Sequence, residues 1–130
     1  MDPLIAAALD ARRHAHAPYS GFKVGAAVED ETGGVHTGCN IENATYSLTL
    51  CAERVAVFKA MSVGARRFRR IAVATDPEDG RLTPPCGSCR QILWELCGDI
   101  EVILANPAGR IRTWRMKELF PEPFDDSFVR

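Results

Sequence analysis

Nowhere in these 130 residues does an apolar stretch approach the ~20 residues that a bilayer-spanning helix needs. The opening Met1-Asp2-Pro3-Leu4 also lacks the basic region, apolar core and cleavage site of a secretory signal, so a cytoplasmic protein is expected. Neither sign of charge prevails. Sixteen Lys/Arg stand against 17 Asp/Glu, mixed along the chain, for a formal net charge of -1. That balance excludes a general attraction to nucleic acid or anionic membrane. The one basic run, Arg66-Arg67-Phe68-Arg69-Arg70, has no second run to support it and reads as a solvated loop before a strand. Internal repeats, low-complexity tracts and linkers are absent. So is an even set of cysteines. Five cysteines without an export signal point to metal or redox chemistry in a reducing compartment, not to a disulfide framework.

What is present fits one compact domain over residues 1–130, with 46% hydrophobic and 25% charged residues. Leu4 to Arg13 is alanine-rich with apolar residues at helical spacing, which predicts an opening helix. Ala17 to Gly21 breaks it. Phe22, Val24, Ala26 and Val28 alternate as in a strand, Asp30 to Gly34 reads as a hairpin loop, and Val35 to Cys39 as the returning strand. Leu50 to Ala60 predicts a helix apolar on most sides, and so buried at the centre of the domain. A short strand at Ile71–Ala74, a helix from about Cys86 to Leu96, strands near 101–105 and 111–114, and a short helix around Lys117–Leu119 complete the order. The expected fold is an α/β three-layer sandwich with a central mixed five-stranded sheet.

The chemistry lies in Cys51-Ala52-Glu53-Arg54 and Pro84-Pro85-Cys86-Gly87-Ser88-Cys89. Cys86 and Cys89, three apart, share one face of a helical turn. Pro85 favours a helix starting at Cys86, and Cys51 opens its own helix with Thr49 as the expected cap. Helix starts carry partial positive charge and lower thiol pKa, favouring the thiolates that bind metal. Three protein ligands leave a tetrahedral zinc one position for water, the mark of a catalytic site, and Glu53 stands where it can move that water's protons. Three thiolates leave zinc with a net charge of -1, and Arg54 donating to a thiolate sulfur would draw that charge back. Two plainer readings stand beside this one. A lone Cys-x-x-Cys also fits a redox dithiol or half of a structural zinc site, whose fourth ligand would come from Cys39, Cys97, His14, His16 or His36. None of these is spaced convincingly against Cys51. Downstream of a strand, Asn40 and Glu42 point the same way and suit a hydroxyl-bearing ligand such as a sugar, though they are equally turn residues.

The blocks Pro18-Tyr19-Ser20-Gly21-Phe22-Lys23-Val24-Gly25-Ala26-Ala27, Gly38-Cys39-Asn40-Ile41-Glu42-Asn43-Ala44, Cys51-Ala52-Glu53-Arg54 and Pro84-Pro85-Cys86-Gly87-Ser88-Cys89-Arg90-Gln91 occur in order. Together the sequence resembles the small homotetrameric cytidine deaminases of the three-cysteine zinc type. The resemblance implies one Zn²⁺ per subunit on Cys51, Cys86 and Cys89, and Glu53 as proton shuttle. It places Phe22 against the pyrimidine ring, Asn40 and Glu42 on the ribose 3′-hydroxyl, and the backbone at Ala52 against the base. It also implies a C-terminal phenylalanine, Phe124 or failing that Phe128, in a neighbouring subunit's pocket. Without the family, Phe22 reads as a core residue and Phe124 as a tail anchor. Thr45-Tyr46-Ser47 departs from the family's commoner serine-tyrosine-glycine or serine-tyrosine-proline and puts the geometry of that loop in question. The implied activity is hydrolytic deamination of cytidine and 2′-deoxycytidine in pyrimidine salvage, on a free nucleoside, without nucleic-acid or membrane partners. The rivals are a deaminase of another aminopyrimidine such as blasticidin S, and a non-catalytic structural zinc module.

Overall fold

The computed structural model describes residues 1–130. Helix α1, Pro3–Arg12, begins where Asp2 accepts the Leu4 N–H at 2.9 Å, with Pro3 in the first turn. After a turn through residues 18–20, strand β1 (Val24–Asp30) and strand β2 (Val35–Cys39) form an antiparallel hairpin. A short 3₁₀ turn, Tyr46–Leu48, leads to helix α2 (Ala52–Ser62) and strand β3 (Phe68–Thr75). Helix α3 (Gly87–Cys97), strand β4 (Glu101–Ala105), strand β5 (Ile111–Arg115), helix α4 (Met116–Leu119) and a last 3₁₀ turn at Asp126–Phe128 follow.

The five strands form one sheet in the order β2-β1-β3-β4-β5. Only β3 and β4 run parallel, and α3 is the crossover that a parallel pair requires. The sheet is buried on both faces. Ala27, Ala72, Ala74, Ile103 and Ala105 meet Leu4, Ile5 and Ala8 of α1. On the other face, Ala26, Val28, Ile71, Val73, Val102 and Leu104 meet Ala52, Ala56, Val57 and Ala60 of α2 and Leu93 of α3. The three-layer α/β sandwich is therefore observed, with α1 alone in its layer. Close approach explains two glycines. A Cβ on Gly25 would lie 2.0 Å from the Ala8 carbonyl oxygen, and one on Gly38 would lie 2.5 Å from the Ala56 nitrogen. No helix is long and apolar enough to cross a membrane.

Several local expectations need correction. Strand β1 starts at Val24, so Phe22 precedes it, and Ala26, Ala27 and Val28 are all buried because helices cover both faces. Helix α2 is less enclosed than its apolar sequence implied. It covers one sheet face and leaves Phe58 41% exposed. Strand β3 is twice the expected length and takes in Phe68 to Arg70. The basic run is accordingly not simply solvated. Arg70 pairs with Asp2 and Glu29, while Arg66 donates at 2.8 Å to the carbonyls of Met61 in the last turn of α2 and Ala65 beyond it. Charge pairing claimed Arg70 and backbone carbonyls at the end of α2 claimed Arg66, and neither is visible in a local reading.

Candidate active site

Both cysteine motifs end up at helix starts. Cys51 occupies the N-cap of α2 and Cys86 the N-cap of α3, each in an extended conformation with no side-chain cap bond. Thr49 is therefore not the cap; its hydroxyl accepts the Asn43 N–H at 3.0 Å. With the N-cap thiols turned away from the backbone, both are available to each other. The Cys51 and Cys86 sulfurs stand 3.7 Å apart, and all three sulfurs, Cys89 included, lie within 4.8 Å of one another. Sulfurs held at ~2.3 Å around a tetrahedral zinc are about 3.8 Å apart, so this set fits zinc. None of the rival fourth ligands, Cys39, Cys97, His14, His16 or His36, belongs to the cluster.

The electrostatics favour a thiolate at Cys51. Hydrogen bonds from Cys89 and then from the Arg54 guanidinium draw its pKa down to about 5 against the pull of burial. Cys89, the donor in that pair and buried, is pushed up. Arg54 Nη2 lies 3.4 Å from the Cys51 sulfur and 3.4 Å from the Thr49 carbonyl oxygen, while its buried Nε has no partner. The arginine thus stands where the charge count expected it. Glu53, one residue into α2, is 4% exposed. Burial pushes its carboxyl up to about 7, and the charge at Cys51 adds to that push. A carboxyl so placed can exchange protons near neutrality.

A cleft of about 270 Å³ opens beside these groups. Cys51, Ala52, Glu53 and Cys86 line it together with Phe22, Asn40 and Glu42. The size is near the lower end of small-molecule sites (~300 Å³). Asn40 is buried, and its side chain accepts the Val24 N–H at 2.9 Å and donates to the Phe22 carbonyl at 2.7 Å. Glu42 accepts the N–H groups of Tyr19 and Ser20 at 3.0 and 3.1 Å and the Ser20 hydroxyl as well. Those donors, the hydroxyl first, hold its carboxyl below the usual range and hence ionised. Phe22 is 39% exposed into this space, so it is not a core residue. Phe124 does not reach the cleft of its own chain. It stacks on Phe128 at 5.5 Å, and its carbonyl accepts from Gln91 at 2.7 Å. The Thr45-Tyr46-Ser47 departure is absorbed by the 3₁₀ turn, where Ser47 keeps a negative φ and needs neither glycine nor proline.

Sequence reasoning missed several members. Ser20 and Thr49 line the cleft, and Thr83 does so with Pro84 while its hydroxyl meets that of Thr75 at 2.9 Å. Arg90 donates to the Pro85 carbonyl at 2.8 Å and to that of Leu119 at 2.6 Å, fixing the loop that leads into Cys86. Only Arg90 carried a local signal, its place directly after a cysteine of the motif.

Comparison with known proteins bears on the whole arrangement. Residues 2–105 match the family model described as the cytidine and deoxycytidylate deaminase zinc-binding region, a span holding every cleft residue named above but not Phe124. A cytidine deaminase of Halalkalibacterium halodurans is 50% identical over 122 residues, covering 93% of this chain and 91% of that protein. One of Sporosarcina psychrophila is 46% identical over 125 residues, covering 95% and 90%. The crystal structure of cytidine deaminase from Burkholderia pseudomallei superposes with a TM-score of 0.88 at 46% identity, covering 93% of this chain and 96% of that one. A blasticidin-S deaminase of Bacillus cereus is more distant, 30% identical over 104 residues, covering 75% of this chain and 74% of that protein.

Proposed function

This chain belongs to the cytidine and deoxycytidylate deaminase family, and from that premise we propose that it hydrolyses cytidine and 2′-deoxycytidine to uridine and 2′-deoxyuridine, releasing ammonia. One observation carries the reading: a three-sulfur cluster fit for zinc and a buried carboxyl near neutrality share a cleft with an aromatic ring and a polar pair suited to a sugar.

Cys51, Cys86 and Cys89 hold one zinc per subunit. When bound, the metal supplies the Lewis acidity that lets water act as a nucleophile near neutral pH. Arg54 withdraws charge from the Cys51 sulfur and offsets the electron-rich ligand set. Glu53 takes a proton from the attacking water onto its carboxylate and gives it to ring nitrogen 3 of the base. Carbon 4 becomes more electrophilic and bonds the water oxygen. Glu53 then takes the second proton from that new hydroxyl and passes it to the amine, so that the carbon 4–nitrogen bond breaks, the carbonyl forms and ammonia leaves. Phe22 packs against the pyrimidine. The Ala52 N–H belongs to the first turn of α2, whose amides the helix does not pair, and it orients the base. Asn40 and Glu42 take the 3′-hydroxyl of the sugar.

The finer reading extends to assembly. Residues 1–130 act as a single domain, four copies form a homotetramer, and Phe124 of each enters a neighbour's pocket. The enzyme works in the cytoplasm on free pyrimidine nucleosides of the salvage type. Absorbance and ammonia release on cytidine, deoxycytidine, cytosine, deoxycytidylate and blasticidin S test this directly. Turnover is expected on the two nucleosides and far less on the rest. Zinc binding without ammonia from any of them would make the chain a structural zinc module, and preference for blasticidin S would reassign the substrate.

A further inference from the structure

Ser20 belongs to none of the groups that carry the chemistry above, yet it sits at the junction of two of them. Its hydroxyl hydrogen bonds to Glu42 Oε2. The Ser20 hydroxyl oxygen in turn accepts the Phe22 N–H at 3.0 Å. The other carboxylate oxygen, Oε1, is already shared by the backbone N–H groups of Tyr19 and Ser20 at 3.0 and 3.1 Å. Two amides therefore fix one oxygen of Glu42, and a single hydroxyl fixes the other. With both oxygens held, the plane of the carboxylate is set and its remaining lone pairs point in defined directions. Without the hydroxyl, the group can turn about the anchored oxygen. Asn40 restrains the far side of the same segment through the Phe22 carbonyl and the Val24 N–H. Ring, amide and carboxylate are thus parts of one hydrogen-bonded unit, and Ser20, Phe22, Asn40 and Glu42 all line the cleft.

We propose that Ser20 is a positioning residue that sets discrimination for the sugar hydroxyl, by locking the Glu42 carboxylate to the backbone that carries Phe22. The proposal rests on the assignment of Glu42 to the sugar. A carboxylate held in place before substrate arrives loses little freedom on binding. A site built to hydrogen-bond a hydroxyl also rejects the analogue that lacks it, because its polar group is left unpaired. Ser20 matters for both effects and touches neither the base nor the metal.

The test uses zinc-loaded enzyme and two substrates, cytidine and 3′-deoxycytidine, with Ser20→Ala, Ser20→Thr, Glu42→Ala and the Ser20→Ala/Glu42→Ala double variant. Zinc content and melting temperature establish that each variant is folded and loaded. Ser20→Ala is expected to raise KM for cytidine about tenfold, to change kcat less than threefold, and to shrink the cytidine preference over the 3′-deoxy analogue by a similar factor. Ser20→Thr keeps the hydroxyl and restores the preference. In the Glu42→Ala background the Ser20 change is expected to have no further effect. If Glu42→Ala lowers the preference and Ser20→Ala does not, the positioning role of Ser20 is overturned and the sugar role of Glu42 survives. If Glu42→Ala itself leaves the preference intact, the sugar assignment falls and this proposal falls with it. Equal losses on both substrates in Ser20→Ala mean that the serine only supports the loop, which also overturns the proposal.

Discussion

Replacing Glu53 with glutamine keeps the shape of the side chain and removes its ability to carry a proton. Glu53 is buried at the second residue of α2, and the other carboxylate lining the cleft, Glu42, is held by Tyr19 and Ser20. Turnover is expected to fall at least ~100-fold, within the usual worth of a general acid–base group, while zinc content by metal analysis stays at one per chain. Near-normal ammonia release from that variant would remove Glu53 from the mechanism. Arg54 makes a different kind of contribution. Its guanidinium reaches the Cys51 sulfur at 3.4 Å and the Thr49 carbonyl at the same distance. Arg54→Gln is expected to lose zinc to a competing chelator ~10- to 100-fold more readily, the usual cost of removing a group that orients a metal ligand. An unchanged chelator profile would show that the sulfur does not need the arginine.

At the level of elements, the cleft depends on how closely helices approach the sheet. Strand β1 can lie against α1 only because residue 25 has no side chain; a Cβ there would fall 2.0 Å from a backbone oxygen. Gly25→Ala should therefore cost at least about 2 kcal/mol in urea unfolding, since backbone, not a flexible side chain, must move. A second element-level prediction concerns the β1–β2 hairpin. Asp30 accepts from the Thr32 hydroxyl at 2.6 Å, from the N–H groups of Thr32 and Gly34 at 2.9 Å each, and pairs with His36 at 2.9 Å. These partners, the Thr32 hydroxyl first, hold its carboxyl well below the ordinary 3.8. A depressed folded pKa means stability that is present above 3.8 and lost as pH falls below it. Asp30→Asn should accordingly melt below the parent at pH 7, and the gap should close on acidification through that value. A gap that persists unchanged in acid would point to lost geometry and not lost charge.

For the whole molecule, the exposed C-terminal aromatics carry the question. Phe124 is 57% and Phe128 70% exposed, outside the cleft of their own chain. Light scattering is expected to give about four times the 14.3 kDa of one chain. Phe124→Ala should then lower kcat/KM about tenfold at unchanged zinc content, whereas Phe128→Ala should not. A monomer with full activity would dispose of both expectations.

Much of this was legible in the residues themselves. The order of helices and strands, the five-stranded mixed sheet and the three thiols follow from periodicity, turn chemistry and cysteine spacing, because these are local properties. So was Arg54, through charge counting around a three-thiolate metal. What a local reading lost was every feature decided by a distant partner. Strand β3 runs on through the basic run because Arg70 finds Asp2 and Glu29, 68 and 41 residues away. Even at six residues' separation, Thr49 turns its hydroxyl to the Asn43 N–H and leaves Cys51 at the N-cap of α2. Ser20 gives no sign in its own neighbourhood of the contact it makes with Glu42, 22 residues on. Residue types and their spacing determined which chemistry is available to this chain. Only the packed structure decided which groups share protons, because hydrogen bonding and burial depend on neighbours in space that the order of residues does not name.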